Sequence, residues 1–299
     1  MKVYIHNDHD GRSAGNILFN LIGPHNFEPE DFIELNYDRK IPIDIIAKDE
    51  KIFFLDYSFG DIGIEQLKYI YDNITQDITW IDHHATSKDM IKKYLWINKS
   101  KIKVFVQEGI CGAGLIYLYL KNLLSVTPLT FGDNENIPKY LRLIDDYDCW
   151  KLKMIPESSY LKLAIECYPH KATDSIWTNL LKANNNELLD SLIKDGAIIK
   201  KHIDVMNTSY RESKGYESEI DGHKCFVINI SSNSWVFGDL INKYDVLVLW
   251  CFDGEKYNYS IYSEKKNINC KDIATKFGGG GHPGASGFTS DKLILQKIG

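Results

Sequence analysis

Residues 1–15 read Met1-Lys2-Val3-Tyr4-Ile5-His6-Asn7-Asp8-His9-Asp10-Gly11-Arg12-Ser13-Ala14-Gly15. An apolar run, Val3 to Ile5, delivers His6, Asp8 and Asp10, and Gly11 turns the chain towards a helix-like segment. Residues two apart in an extended strand share a face, so this spacing predicts an imidazole and two carboxylates side by side. Like charges at close range repel, and a divalent cation is the natural occupant between them. Read alone, Asp8-His9-Asp10-Gly11 is a polar turn. Its meaning changes because the pattern recurs: the apolar run Ile52–Leu55 ends on Asp56, and the run 78–81 ends on Asp82-His83-His84.

Around these runs strand and helix signals alternate. Helical spacing appears at 12–21, closed by Gly23-Pro24, and again at 62–71; further strands fall at Phe32–Leu35 and Lys103–Val106. Unbroken apolar strands alternating with helices argue for an α/β domain built on a parallel sheet covered on both faces. A helix is expected over 112–124, where Gly112 and Gly114 suit either close backbone approach or simple packing. Pro138 opens a helix at 139–144 that runs into Asp145-Asp146-Tyr147-Asp148-Cys149-Trp150, a third carboxylate cluster. Beyond Pro156, residues 158–168 read as helical and 187–206 as a long amphipathic helix linking two domains. From about residue 215 the signals are mostly β, with strands at 225–230, Val246–Phe252 and Tyr257–Tyr262 and helices near 236–243 and 271–277. The expected division is a domain over 1–165, a helical connection over 166–214 and a smaller mixed α/β domain over 215–299.

Composition sets bounds on function. With 44% hydrophobic and 25% charged residues in 299, the chain reads as globular. A net charge of −6 speaks against a protein that coats long nucleic acids, which needs a basic surface. The six cysteines are scattered without a Cys-x-x-Cys pair, as expected of free thiols in a reducing compartment. No signal peptide is read at the N-terminus, and Val246–Phe252 is too short to span a bilayer. The expectation is a cytoplasmic protein with no membrane partner.

In open α/β sheets ligands bind beyond the carboxyl ends of the strands, where three runs here end in acids and imidazoles. With Asp146 or Asp148 added, the candidate ligands carry four carboxylates, enough to balance two divalent cations. Carboxylates with some imidazole and no thiolate suit manganese, or magnesium, better than structural zinc. Asp56 is best placed to bridge two ions about 3.5–4 Å apart, an arrangement that supplies hydroxide near neutral pH and offsets charge on a phosphoryl group. His83 is assigned to metal and His84 to the substrate phosphate or leaving group, because neighbours in an extended chain point oppositely. Asp56, Asp82 and His84 are expected to serve catalysis, and Arg12 to help bind substrate. His9 and His25, for which a structural role stays open, are left out of the candidate set. Late in the chain the run Gly278-Gly279-Gly280-Gly281-His282 follows Lys265, Lys266, Lys271 and Lys276, and successive glycine N–H groups can cradle an anion.

Asp82-His83-His84, preceded by His6-Asn7-Asp8-His9-Asp10-Gly11 and Asp56, resembles the DHH phosphoesterase superfamily. Gly279-Gly280-Gly281-His282 with Gly287 resembles that superfamily's DHH-associated C-terminal domain; Ser286 stands where alanine is more usual. Together the two cover nearly the whole chain. The resemblance implies two α/β domains with a manganese-loaded cleft between them, hydrolysing phosphoester bonds. It implies His6, Asp8, Asp10, Asp56, His83 and an aspartate of the 146–150 segment as ligands, with Asp148 favoured over Asp146, and His282 with the glycine run as substrate contacts. The Asp-x-Asp-x-Trp ending at 146–150 is similar to the nano-RNase and cyclic-nucleotide phosphodiesterase branch. The implied substrate is a short oligonucleotide. The competing readings are an adenosine bisphosphate phosphatase, a cyclic-nucleotide or cyclic-dinucleotide phosphodiesterase, and a nucleotide sensor without turnover.

Overall fold

A computed structural model of the protein describes residues 1–36, 40–121, 137–182 and 186–297. The chain divides into two compact units, Met1–Ile199 and Lys200–Gly299. In the first, the elements run β1 (Lys2–His6), α1 (His9–Ile22), β2 (Phe32–Leu35), β3 (Ile52–Leu55), α2 (Asp61–Asn73), β4 (Ile78–Asp82), α3 (Ala85–Lys93), α4 (Trp96–Lys99), β5 (Lys103–Val106), α5 (Gly112–Leu120), α6 (Lys139–Asp148), α7 (Glu157–Ile165) and α8 (Ser175–Leu181). The five strands form an all-parallel sheet in the order β2-β1-β3-β4-β5.

Strand alternation explains why these runs are apolar throughout. Val3, Ile5, Phe53, Leu55 and Ile81 enter one buried cluster with residues of α1, α5 and α6. Their neighbours Tyr4, Ile52, Phe54, Ile78 and Trp80 enter a second cluster with Ile64, Leu67 and Ile70 of α2. A strand buried on both faces has no polar side to show. The first cluster also takes in Trp177, Leu180, Leu189 and Leu192, so this unit runs past the expected boundary at 165 to Ile199. The cause is α8, unforeseen in the sequence, whose Trp177 is fully buried.

A 29-residue helix, α9 (Asn186–Lys214), carries the chain from one unit to the other. The second unit holds β6 (Gly215–Ile220), β7 (His223–Asn229), β8 (Val246–Phe252), β9 (Tyr257–Tyr262), α10 (Cys270–Lys276), β10 (Gly280–His282) and β11 (Ala285–Ser290). Its six-stranded sheet, ordered β10-β11-β9-β8-β7-β6, is antiparallel except for β7 with β8. The helix expected near 236–243 is a 3-10 segment, Ser234–Asn242, kinked at Gly238 with φ +51°. The helix expected over 112–124 is regular to Leu120, and residues 122–124 lie outside those described. All six cysteines are unpaired. Among the described residues no helix is long and apolar enough to cross a membrane.

Candidate metal centre

The strand order reverses between β1 and β3, and the crevice beyond the carboxyl ends at such a point is where open α/β sheets bind ligands. His6 closes β1, Asp56 follows β3, and His83 follows β4. Their side chains converge. His6 Nδ1 lies 2.7 Å from Asp8 Oδ2 and 3.9 Å from Asp56 Oδ2. His83 Nε2 lies 3.2 Å from Asp56 Oδ1, 3.3 Å from Asp148 Oδ2 and 3.7 Å from Asp10 Oδ2. Asp56 therefore sits in the middle, one oxygen towards His6 and the other towards His83.

The route by which Asp8 and Asp10 reach this point differs from the extended pattern expected. The strand stops at His6 and α1 starts at His9, so strand alternation does not run to Asp10. Asp8 is instead the N-cap of α1, its Oδ1 accepting the Gly11 N–H at 2.9 Å. Asp10 lies on the first turn, where its two oxygens accept the N–H groups of Gly112 at 2.5 Å and Ala113 at 2.7 Å. These are orphan donors of the α5 N-terminus, an end that favours a negative charge. Gly112 is thereby explained by close approach: a Cβ there would meet Asp56 Cβ at 2.6 Å. Asp56 itself has φ +53°, a left-handed conformation that few residues other than glycine adopt. Such an outlier at a buried strand end is a strained position of the sort found at functional sites.

His83 and His84 do not point oppositely, since β4 has ended at Asp82; their rings lie side by side, centroids 4.3 Å apart. His84 Nδ1 is 2.8 Å from Asp82 Oδ1, and the other Asp82 oxygen is bonded by Ser87 Oγ. Asp82, expected to serve catalysis, is fully buried and holds His84 in place. Arg12, expected to help bind substrate, makes a two-pronged pair with Glu34, with bonds of 2.8 Å each. The end of the glycine run, Gly280 and Gly281, lies with His282 in the edge strand β10, and His282 is exposed. Cβ atoms at Gly279 and Gly281 would strike β11, at Gly287 O and Ser286 Cα. Of the nearby lysines, Lys276 pairs with Asp221.

Asp56 Oδ1, Asp56 Oδ2 and Asp148 Oδ2 are buried and, among the described residues, accept no hydrogen bond. A buried carboxylate is costly unless compensated, and the oxygen-and-imidazole donor set around these atoms fits divalent cations. Burial, then repulsion from Asp10 and the other acids, pushes Asp56 well above the usual carboxylate range. The same causes raise Asp10 to about 6 and Asp148 to about 7. Burial works against Asp8 too, but His6 and the Gly11 N–H hold it down to about 2. Burial lowers His83; it also opposes charge on His84, which its bond to Asp82 nevertheless raises.

These shifts have a sign. Asp10 and Asp148 start near 3.9 in the unfolded chain and titrate at about 6 and 7 when folded. The folded state thus binds more protons in between, and stability falls as pH rises through that window. Asp56 and His84 act in the same direction, His83 and His9 (lowered to about 4) oppose it, and Asp8 acts only at lower pH. Thermal melts in EDTA are expected to fall between about pH 4.5 and 7.5, and manganese at the upper end to restore them. A metal-free melting temperature that climbs across this range would contradict the assignment.

No family model matches the chain. In sequence it is 24% identical over 225 residues to the uncharacterized protein R106 of Acanthamoeba polyphaga mimivirus, covering 72% of this chain and 48% of that protein. The chain spans about half the length of the curated relative it matches. Among solved structures it is similar to the DHH domain of a member of the S1p family of ribosomal proteins. The TM-score is 0.58 at 15% identity, covering 95% of this chain and 81% of the other. The chain has the DHH fold. It is also similar to the pGpG-specific phosphodiesterase PggH of Vibrio cholerae, with TM-score 0.55 at 10% identity over 97% of this chain and 92% of that one.

Asp146 and Asp148, the two candidates of the third cluster, are separated by the helix. The helix α6 continues to Asp148, and its roughly 100° per residue turns the two acids to different sides. Asp148 faces His83, whereas Asp146 accepts the N–H groups of Lys153 (2.7 Å) and Met154 (3.1 Å) and the Ser158 hydroxyl (2.8 Å). Asp148→Ala is expected to lose manganese binding without loss of stability. Asp146→Ala is expected to unfold more easily by about 3 kcal/mol, since it leaves buried donors unpaired, and to weaken binding about 10–100-fold. Urea unfolding and manganese titration on both variants check this, and the reverse order would exchange the roles.

Beside the centre lies a pocket of about 420 Å³ that the sequence did not reveal. Asp8, Asp10 and Asp148 border it, with Arg12, Tyr147, Trp150, Lys162 and His170 among its other lining residues. His9, left out of the candidate set, also lines it; burial, then Lys162, lowers it to about 4. The signal available in the sequence was Trp150, an aromatic residue two positions after Asp148.

Proposed function

We propose that the protein is a divalent-cation-dependent phosphodiesterase that hydrolyses oligonucleotides a few units long to mononucleotides. The observation that carries this reading is the buried Asp56 carboxylate, flanked by His6, Asp8, Asp10, His83 and Asp148, with neither oxygen accepting a hydrogen bond among the described residues. Asp8, Asp10, Asp56 and Asp148 supply four negative charges, matching two divalent ions, with manganese preferred over magnesium for its tolerance of imidazole. Ions held there would polarise phosphoryl oxygens, ease deprotonation of an attacking water and offset transition-state charge. Asp10 is fixed by the α5 N-terminus and so keeps its orientation whatever is bound. His84, charged more readily because of Asp82, is suited to bind the phosphate or to protonate the leaving oxygen. His282 is assigned to substrate on the resemblance.

The preference for short substrates rests on the negative net charge and on a pocket at the lower end of the 300–1,000 Å³ range of small-ligand sites. PggH, which shares the fold, is named for pGpG, a dinucleotide. The test is a time course with manganese on labelled RNA of two, three, five and 20 nucleotides, beside pGpG, 3′,5′-cyclic AMP and adenosine 3′,5′-bisphosphate. Dinucleotides and trinucleotides are expected to be consumed much faster than the 20-mer is shortened. Preference for the 20-mer would overturn the length assignment; fastest turnover of the cyclic nucleotide or bisphosphate would make the alternative reading the right one. Binding without any turnover would leave a sensor.

A further inference from the structure

Trp150 is the most exposed large apolar side chain among the described residues, at 73%. A free-hanging tryptophan at that exposure is unusual, because an indole ordinarily buries most of its surface. It is also held in a demanding backbone. Trp150 and Leu152 both have φ +51°, a conformation disfavoured for bulky side chains. The strain is sustained by hydrogen bonds converging on α6: Trp150 N–H to Tyr147 O, and Lys151 and Leu152 N–H to Asp146 O. The Asp146 side chain clamps the next residues through Lys153, Met154 and Ser158. The turn is thus over-determined, and what it presents is the indole.

The indole and Tyr147 lie near-parallel, ring planes 27° apart and centroids 6.4 Å apart. Both line the pocket that Asp8, Asp10 and Asp148 border. Its other walls carry Ile144, Leu161 and Ile165, and Lys162 there pairs with Glu166 at 2.8 Å and lies over the Tyr147 ring at 5.8 Å. One side of the pocket is therefore built for cations and, through them, a phosphate. The remainder joins aromatic and aliphatic side chains to His9 and His170, and its fixed cations are paired, Lys162 with Glu166 and Arg12 with Glu34, which suits a flat uncharged ring.

We infer that Trp150, with Tyr147 beside it, is a stacking platform for the nucleobase of the nucleotide whose phosphate lies at the metal centre. It is a specificity-determining residue that separates base-bearing phosphoesters from inorganic phosphoanhydrides. The inference rests on the phosphodiesterase reading for its substrate class. Stacking a base on an aromatic side chain is worth about 5- to 150-fold in affinity and tolerates different bases.

The experiment titrates adenosine 5′-monophosphate and, separately, inorganic phosphate into the full protein with manganese, for the parent, Trp150→Phe and Trp150→Ala. The monophosphate is expected to quench indole emission in the parent and not in Trp150→Phe, although the chain keeps its other five tryptophans. Affinity for it should fall about 5- to 150-fold in Trp150→Ala and be largely recovered in Trp150→Phe. Affinity for phosphate should be the same in all three. Unchanged monophosphate affinity in Trp150→Ala overturns the platform, as does an equal loss of both ligands, which would mean damage to the metal centre. The outcome is independent of turnover. A protein that hydrolyses nothing yet needs Trp150 for the monophosphate keeps the platform and loses the phosphodiesterase reading, and the opposite pair of results does the reverse.

Discussion

Asp56→Asn is expected to abolish manganese binding and bring turnover to background while leaving secondary structure intact. Asparagine is the informative replacement because it tolerates the left-handed backbone at this position, so the charge is removed without refolding the strand end. Loss of a shared cation ligand removes several kcal/mol of transition-state stabilisation, which at about 1.4 kcal/mol per decade is a fall on the order of a thousand-fold. Stability should move the other way or not at all. In the metal-free protein this carboxylate is buried beside Asp10 and Asp148 with no hydrogen-bond partner among the described residues, and neutralising it relieves repulsion. Circular dichroism, thermal melts in EDTA and manganese-dependent turnover on one preparation test all three statements. Activity within a few-fold of the parent would refute the bridging role.

Gly112→Ala should come close to that effect without altering a single ligand. The added methyl would lie 2.6 Å from Asp56 Cβ and 2.9 Å from its Oδ1. Neither side yields readily, since the Asp56 N–H is bonded to Ile81 O and the Gly112 N–H to Asp10. Overpacking of this kind costs about 1–3 kcal/mol, and shifting a reacting group by about 1 Å costs about 100-fold in rate. The expectation is a loss in manganese affinity of about 5- to 150-fold, one decade per 1.4 kcal/mol, with turnover falling about 100-fold. Gly60→Ala, where an added methyl meets nothing within 4 Å, is the control and should bind manganese as the parent does. Equal behaviour of the two variants would mean that α5 does not fix the centre.

The readable part of this protein is the part with a period. The doubly buried strands and most helices show as apolar runs and helical spacings, and strand ends carrying acids mark the crevice. What the sequence does not show lies where local geometry leaves the regular element. Asp8 and Asp10 have the right neighbours for the wrong reason: a helix cap and a first turn bring them in, not strand alternation. Asp82 and Arg12 carry reactive groups in the sequence, but the fold engages them with His84 and Glu34. The glycines at 279 and 281 are required by the backbone of β11, a long-range contact invisible to composition. The helix α8 has seven residues and too little periodicity to be legible, and its burial of Trp177 extends the first unit.

Equilibrium dialysis of manganese against the metal-stripped protein at neutral pH tests the central claim most directly, because it reads the cation centre before any substrate is chosen. Asp56 and the three carboxylates around it predict two ions per chain, bound at this pH with release of protons from Asp56 and Asp148, and no comparable uptake in Asp56→Asn. A parent that takes up no manganese, or an Asp56→Asn variant that takes up as much as the parent, would contradict it.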